Sequence, residues 1–207
     1  MMRRDWFSEE KVLREVILPE LKEGRPDFDL AHTEAVVVWM KRLLESLGFG
    51  PTKGEKNDSA IDARVMVTAA YAHDWGYVGL FPDGANYDQV QAMKPKHMEK
   101  GAEKIEKLLK EKLSDGYTNN QIDRVAHLVR VHDKLEVVSD EDELLLVEAD
   151  TLGALDADLV TPTFSKADNQ RYVVELERKR RPLFIHKAAV KAYDELLIKR
   201  INFYAEE

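Results

Sequence analysis

Apolar residues recur at helical spacing along almost the entire chain, and this constrains the fold more than any other feature. In "LAHTEAVVVWMKRLLESLG", residues 30–48, Ala35, Val36, Trp39, Met40 and Leu43 fall on one side of a helix, because positions three and four apart share a face. Strand-like alternation is scarce, and glycines and prolines sit between the periodic segments. The pattern predicts an all-α protein. Ser8 suits the N-cap of a first helix reaching about Leu21. Asp29 suits the cap of a second, ended by Gly48, and a third covers about Ser59 to Trp75. "GYVGLFPDGANYDQVQAMKP" reads as a long irregular stretch, and such loops in compact domains are often lids. Pro95 opens a fourth helix to about Leu113, a fifth runs from about Asn119 to Leu135, and Ser139 with its acidic followers starts a sixth. Beyond "VTPTFSKADNQ", one or two basic helices follow. The expected organisation is one domain of about six core helices over residues 1–160, with a C-terminal helical extension, 161–207, packed on it.

Composition removes several classes of function. The chain lacks cysteine, so it has no thiolate metal site and no cysteine nucleophile. Its net charge of −8 argues against general nucleic-acid binding, without forbidding a local basic pocket for phosphate. "MMRRDWFSEEK" has two arginines with no apolar run behind them, and no apolar stretch approaches roughly 18 residues. A cytoplasmic protein with no membrane partner is therefore expected.

Helical geometry then sorts the histidines. His32 lies on the apolar stripe of the second helix, at its first turn. His73 follows Ala69 by one turn, and Asp74 is rotated from it by about 100°. The two can aim at one point only near a helix end, which Gly76 supplies. His132 shares a face with Ile122, Val125 and Val129, while His127 points away. His97 sits in the first turn after Pro95, with Gly101 one turn on, and Asp150 lies among Leu146, Gly153 and Ala154. His186, in a Lys/Arg-rich segment, reads as ordinary. Taken singly, each inward group reads as a hydrogen-bonded core residue. Taken together they are imidazoles and carboxylates, the set that borderline divalent metals prefer. A cation among them would remove the cost of burying them.

The order His32, then the doublet His73-Asp74, then Asp150 resembles the HD superfamily of metal-dependent phosphohydrolases, and "EADTLGALD" is similar to the helix around that family's last aspartate. The resemblance covers roughly residues 28 to 160. It implies that these four residues bind a metal. His97 and His132 stand where part of the family has two more histidines for a second metal, with Asp74 bridging the two; His127 competes with His132 for that place. Two positions depart from the pattern. Tyr77 stands where many two-metal members have a lysine, and Thr151 where an arginine often follows the last aspartate.

The resemblance implies hydrolysis of a phosphate ester, of a nucleotide or a related small molecule, by metal-activated water. One or two divalent ions (Mn, Fe, Co, Ni, Mg or Zn) are expected. Asp74, His97 and His132 are the candidate catalytic groups; with a single metal, the two histidines would contact phosphate or protonate the leaving group. Lys94, Lys96, Arg130 and Lys134 flank these histidines and are candidates for phosphate, as is the run Arg178 to Arg181. Phe81, Asn86, Tyr87 and Gln89 in the lid could meet a nucleobase. Two other readings compete: a di-iron oxygenase of similar fold, and a non-catalytic, metal-loaded nucleotide-binding module. Leu183, Phe184, Ala188, Leu196 and Ile198 must be buried somewhere, on the core or in a homodimer.

Overall fold

The computed structural model describes residues 6–49, 61–81 and 83–204. These form eight α-helices and no strand, as the periodicity predicts: α1 (Trp6–Leu21), α2 (Asp29–Ser46), α3 (Ala63–Ala72), α4 (Tyr87–Lys112), α5 (Asn119–Val131), α6 (Glu141–Leu155), α7 (Lys166–Glu175) and α8 (Lys187–Phe203). The central element is α3, buried from Val65 to Ala72. Its alanines let α1, α2, α5 and α6 approach from several sides. The α2–α6 crossing is as close, because a Cβ on Gly153 would lie 2.6 Å from Val36 Cγ2 and 2.9 Å from Val36 N. The main core joins α1 to α6 with Leu176, Phe184, Ala189, Tyr193 and Leu196 of the C-terminal segment, and a smaller cluster gathers Tyr77, Phe81 and Val90. Ile198 remains 61% exposed. No helix among the described residues is long and apolar enough to cross a membrane.

Several helix ends differ from expectation. α4 begins at Tyr87, well before Pro95. Asn86 and Gln89 form a reciprocal capping box, with bonds of 3.0 and 2.9 Å. Pro95 therefore lies inside the helix, where its fixed φ is compatible and the missing N–H removes one backbone bond. A strong cap and a long apolar face outweigh that loss, and the described part of the irregular stretch shrinks to about residues 78–81 and 83–86. Ser8 is inside α1, which already runs from Trp6. Asp29 is the first residue of α2 rather than its cap, because its carboxylate turns back to Arg25. The cap of α3 is Asp62, whose carboxylate accepts from Arg64 N and Val65 N; Ser59 lies outside the described residues. Asp140, not Ser139, caps α6. α3 and α5 end early, which leaves His73 and His132 as their C-terminal caps.

His186 is also not an ordinary surface residue. It is buried at the N-terminus of α8, and its Nδ1 lies 2.6 Å from Glu148 Oε2. Glu148, buried on α6, also accepts from the backbone N–H groups of Ile185 and His186. One carboxylate thus ties the start of α8 to α6.

Candidate metal centre

Helix ends bring the titratable groups together. His73 closes α3, and the chain turns at once through a 3-10 turn, Trp75–Tyr77, so Asp74 faces the same side as its neighbour. Gly76 lies against α4: a Cβ there would come 1.8 Å from the His97 carbonyl oxygen. That approach sets His97 beside the doublet. His132 arrives from the end of α5, His32 from the first turn of α2, and Asp150 from the middle of α6. All six are buried.

The imidazoles form two pairs. His32 Nε2 and His73 Nε2 are 3.2 Å apart, as are His97 Nε2 and His132 Nε2. The Nδ1 atoms of His73 and His132 donate to the carbonyls of Ala70 and Val129, each at 2.8 Å. A neutral ring with its proton on Nδ1 presents a lone pair at Nε2. Asp74 lies between the pairs. Its Oδ2 is 3.6 Å from both His32 Nε2 and His73 Nε2, and its Oδ1 is 3.4 Å from His97 Nε2 and 3.7 Å from His132 Nε2. Asp150 Oδ1 joins the first pair at 3.1 and 3.7 Å. Asp133 Oδ2 approaches the second at 3.8 and 3.9 Å. Nitrogen lone pairs converging with carboxylate oxygens need a positive centre between them, and nitrogen–oxygen donor sets suit borderline divalent ions. The donor set therefore fits a metal on each side of Asp74. Among the described residues, His32 Nδ1 and His97 Nδ1 have no hydrogen-bond partner. Packing orients those rings instead: Phe28 stacks on His32 at 5.1 Å and Tyr77 on His97 at 3.9 Å.

The electrostatics hold His73 neutral and the carboxylates ionised, while Asp74 and Asp133 raise His132 above its ordinary value against burial. Burial pushes His73 down to about 4, so its ring is neutral. Burial alone would raise Asp74, but His73, His132 and His97 around it hold the carboxyl well below its usual range. Asp150 is likewise held down against burial by Arg180 and His32, and Asp133 by Lys94 and Arg180.

A cleft opens over this cluster and encloses about 550 Å³, including the space that opens to solvent. Among the cations expected at phosphate, Lys94 lines it, bonded to Asp133 at 3.0 Å. Lys96 is exposed, Arg130 pairs with Glu99, and Lys134 does not line the cleft. Within the run Arg178 to Arg181, a π turn at Leu176–Arg180 aims Arg180 alone inward. Its Nη1 donates to Asp150 Oδ2 at 2.7 Å and to Thr151 Oγ1 at 3.0 Å, and its Nη2 bonds Asp133. The position after the last aspartate thus receives a guanidinium from a distant segment. His127 lies outside the cluster, paired with Glu143 at 2.6 Å. Of the residues considered for a nucleobase, Tyr87 lines the cleft, Phe81 packs on Tyr77, and Asn86 and Gln89 serve the helix cap.

Sequence reasoning did not single out Arg25, Asp133 or Arg200. Arg25 pairs with Asp29 at 2.5 Å and reaches Asp74 at 3.3 Å. For Asp133 a signal existed, the second His-Asp doublet at His132. Arg25 and Arg200 lie in stretches that carry no motif.

Helices alone among the described residues, with a buried His/Asp cluster that could hold a metal ion, define the class of protein. Residues 29–160 match the family model of the HD domain, and the chain belongs to that family. Its members are largely metal-dependent phosphohydrolases. Comparison with curated proteins and with solved structures returned no match.

Proposed function

We propose that the chain is a metal-dependent phosphohydrolase that cleaves a phosphate ester of a nucleotide or a related small molecule. The observation that carries this reading is Asp74, whose two oxygens each face a separate imidazole pair. His32, His73, Asp74 and Asp150 would hold one divalent ion, and His97, His132 and Asp74 a second, with Asp133 beside it. Metal ions in such a place lower the pKa of water and polarise a phosphoryl oxygen.

The chain's own groups do the rest. Arg180 holds Asp150 by its Oδ2, which leaves Oδ1 aimed at the first imidazole pair, and Arg25 bonds the Asp74 Oδ2 that faces the same pair. Lys94 and Arg180 place positive charge on the cleft wall, where the transferred phosphoryl group gathers negative charge. Tyr87 also lines the cleft, but its ring is 6% exposed and Arg171 lies over it at 4.9 Å, so it adds wall rather than an open stacking face.

The test is elemental analysis of protein purified without chelator, together with phosphate release from a panel of phosphomonoesters. Two metal equivalents and phosphate release, both lost in Asp74→Ala, are expected. Full activity in that variant refutes the assignment. Dioxygen consumption by the iron-loaded protein without phosphate release would assign the centre to an oxygenase. Nucleotide binding without turnover would make the domain a binding module.

A further inference from the structure

Four cations line the cleft, and carboxylates among the described residues supply counter-charge for three of them. Arg25 is held by Asp29 and Asp74, Lys94 by Asp133, and Arg180 by Asp133 and Asp150. Arg200, near the end of α8, differs. It is 1% exposed and lines the same cleft. Its Nε donates to Asn169 Oδ1 at 2.7 Å and its Nη1 to the Ala154 carbonyl at 3.0 Å. Its guanidinium also lies 5.5 and 5.9 Å from the ring centres of Tyr172 and Tyr204. All of these partners are neutral. Among the described residues no carboxylate pairs with it, and its Nη2 engages no acceptor.

A buried charge without a counter-charge is costly, and arginine cannot shed its proton to escape that cost. The neighbouring Arg180 shows how this chain pairs a buried guanidinium: two aspartates bind it. At Arg200, neutral acceptors fix the fork in position and leave its charge unspent. Tyr172 lines the cleft beside both arginines, and its hydroxyl makes no hydrogen bond to a described residue.

We infer that Arg200 and Tyr172, next to Arg180, form a phosphate subsite apart from the His/Asp cluster, so that the substrate carries a second phosphoryl group besides the one that is cleaved. This rests on the phosphohydrolase reading of the cleft and narrows it to doubly phosphorylated small molecules. The second group would take its bonds from Arg200 Nη2 and the Tyr172 hydroxyl, and its charge would supply what Arg200 lacks.

The subsite is tested by binding, without turnover. Manganese-loaded protein is titrated calorimetrically with methylphosphonate, methylenebisphosphonate and propane-1,3-bisphosphonate, and its metal content is checked after each titration. Arg200→Gln should weaken binding of a bisphosphonate about 10- to 100-fold, the size of a lost charge-assisted bond. Methylphosphonate binding should stay within about twofold. Equal loss for all three probes, or no loss, overturns the subsite. Tyr172→Phe keeps the ring and serves if the Arg200 variant does not fold: a bisphosphonate should bind about 3- to 10-fold more weakly, and an unchanged affinity counts against the subsite. Failure of the hydrolase reading looks different. Wild-type protein would then release no phosphate from any ester, while the preference for bisphosphonate would still depend on Arg200.

Discussion

Replacing Gly76 with alanine should displace one half of the metal centre and leave the other. A Cβ at Gly76 would lie 1.8 Å from the His97 carbonyl oxygen, 2.6 Å from its carbon and 2.8 Å from Gly101 N. Real Cβ contacts essentially never fall below 3.0 Å, so the backbone of α4 must retreat by about 1.2 Å. The atoms in the way are backbone, which no change of rotamer can clear. His97 belongs to the displaced segment, and metal–ligand distances tolerate only about 0.2 Å. The second site should lose its ion, while His32, His73 and Asp150, which do not lie on α4, retain theirs. Overpacking typically costs about 1–3 kcal/mol, and each kcal/mol lowers Tm by roughly 2–4 °C in a domain of this size. Elemental analysis should show a fall of one equivalent, with Tm about 5–10 °C lower. Gly79→Ala is the control. Its φ of +76° also disfavours alanine, but a Cβ there meets nothing within 4 Å, so metal content should not change. An unchanged metal content and Tm in Gly76→Ala would refute the argument that this close approach positions His97.

Three further outcomes are expected. Chelation should lower Tm by about 5–10 °C, because a ligand at a hundred times its Kd stabilises by about 2.7 kcal/mol; identical melts with and without chelator would mean that no ion is held. Lys94→Ala should reduce kcat/KM about tenfold, whereas Lys96→Ala, which alters an exposed residue off the cleft, should stay within about twofold; equal effects would argue against Lys94 acting at the phosphate. His186 is raised above its ordinary value of 6.5, chiefly by its hydrogen bond to Glu148. A raised pKa contributes stability fully below the unfolded value and loses it as pH rises through the folded one. The Tm gap between wild type and His186→Gln should therefore be widest below pH 6.5 and narrow above it; a gap independent of pH refutes the ion pair.

The fold class and most of the cluster were legible from periodicity. A 3.6-residue repeat states which face of a helix turns inward, so the burial of His32, His73, His97, His132 and Asp150 follows from their neighbours in sequence. The same logic put His127 outside. Helix ends were less legible, because a local signal such as Pro95 or Ser139 competes with caps and packing a few residues away. The cations were the least legible. Arg25, Lys94, Arg180 and Arg200 reach one cleft from four separate segments, and nothing in the residues beside them in sequence distinguishes them from Lys96 or Arg130. By itself, then, the sequence determined that helices would carry an inward set of imidazoles and carboxylates, because amphipathic periodicity is a local property. Only the tertiary structure decided that Asp74 faces two imidazole pairs, and that, among the described residues, three of the four cations in the cleft have carboxylate partners while Arg200 does not. Charge pairing depends on distance in space, and one-dimensional spacing does not carry it.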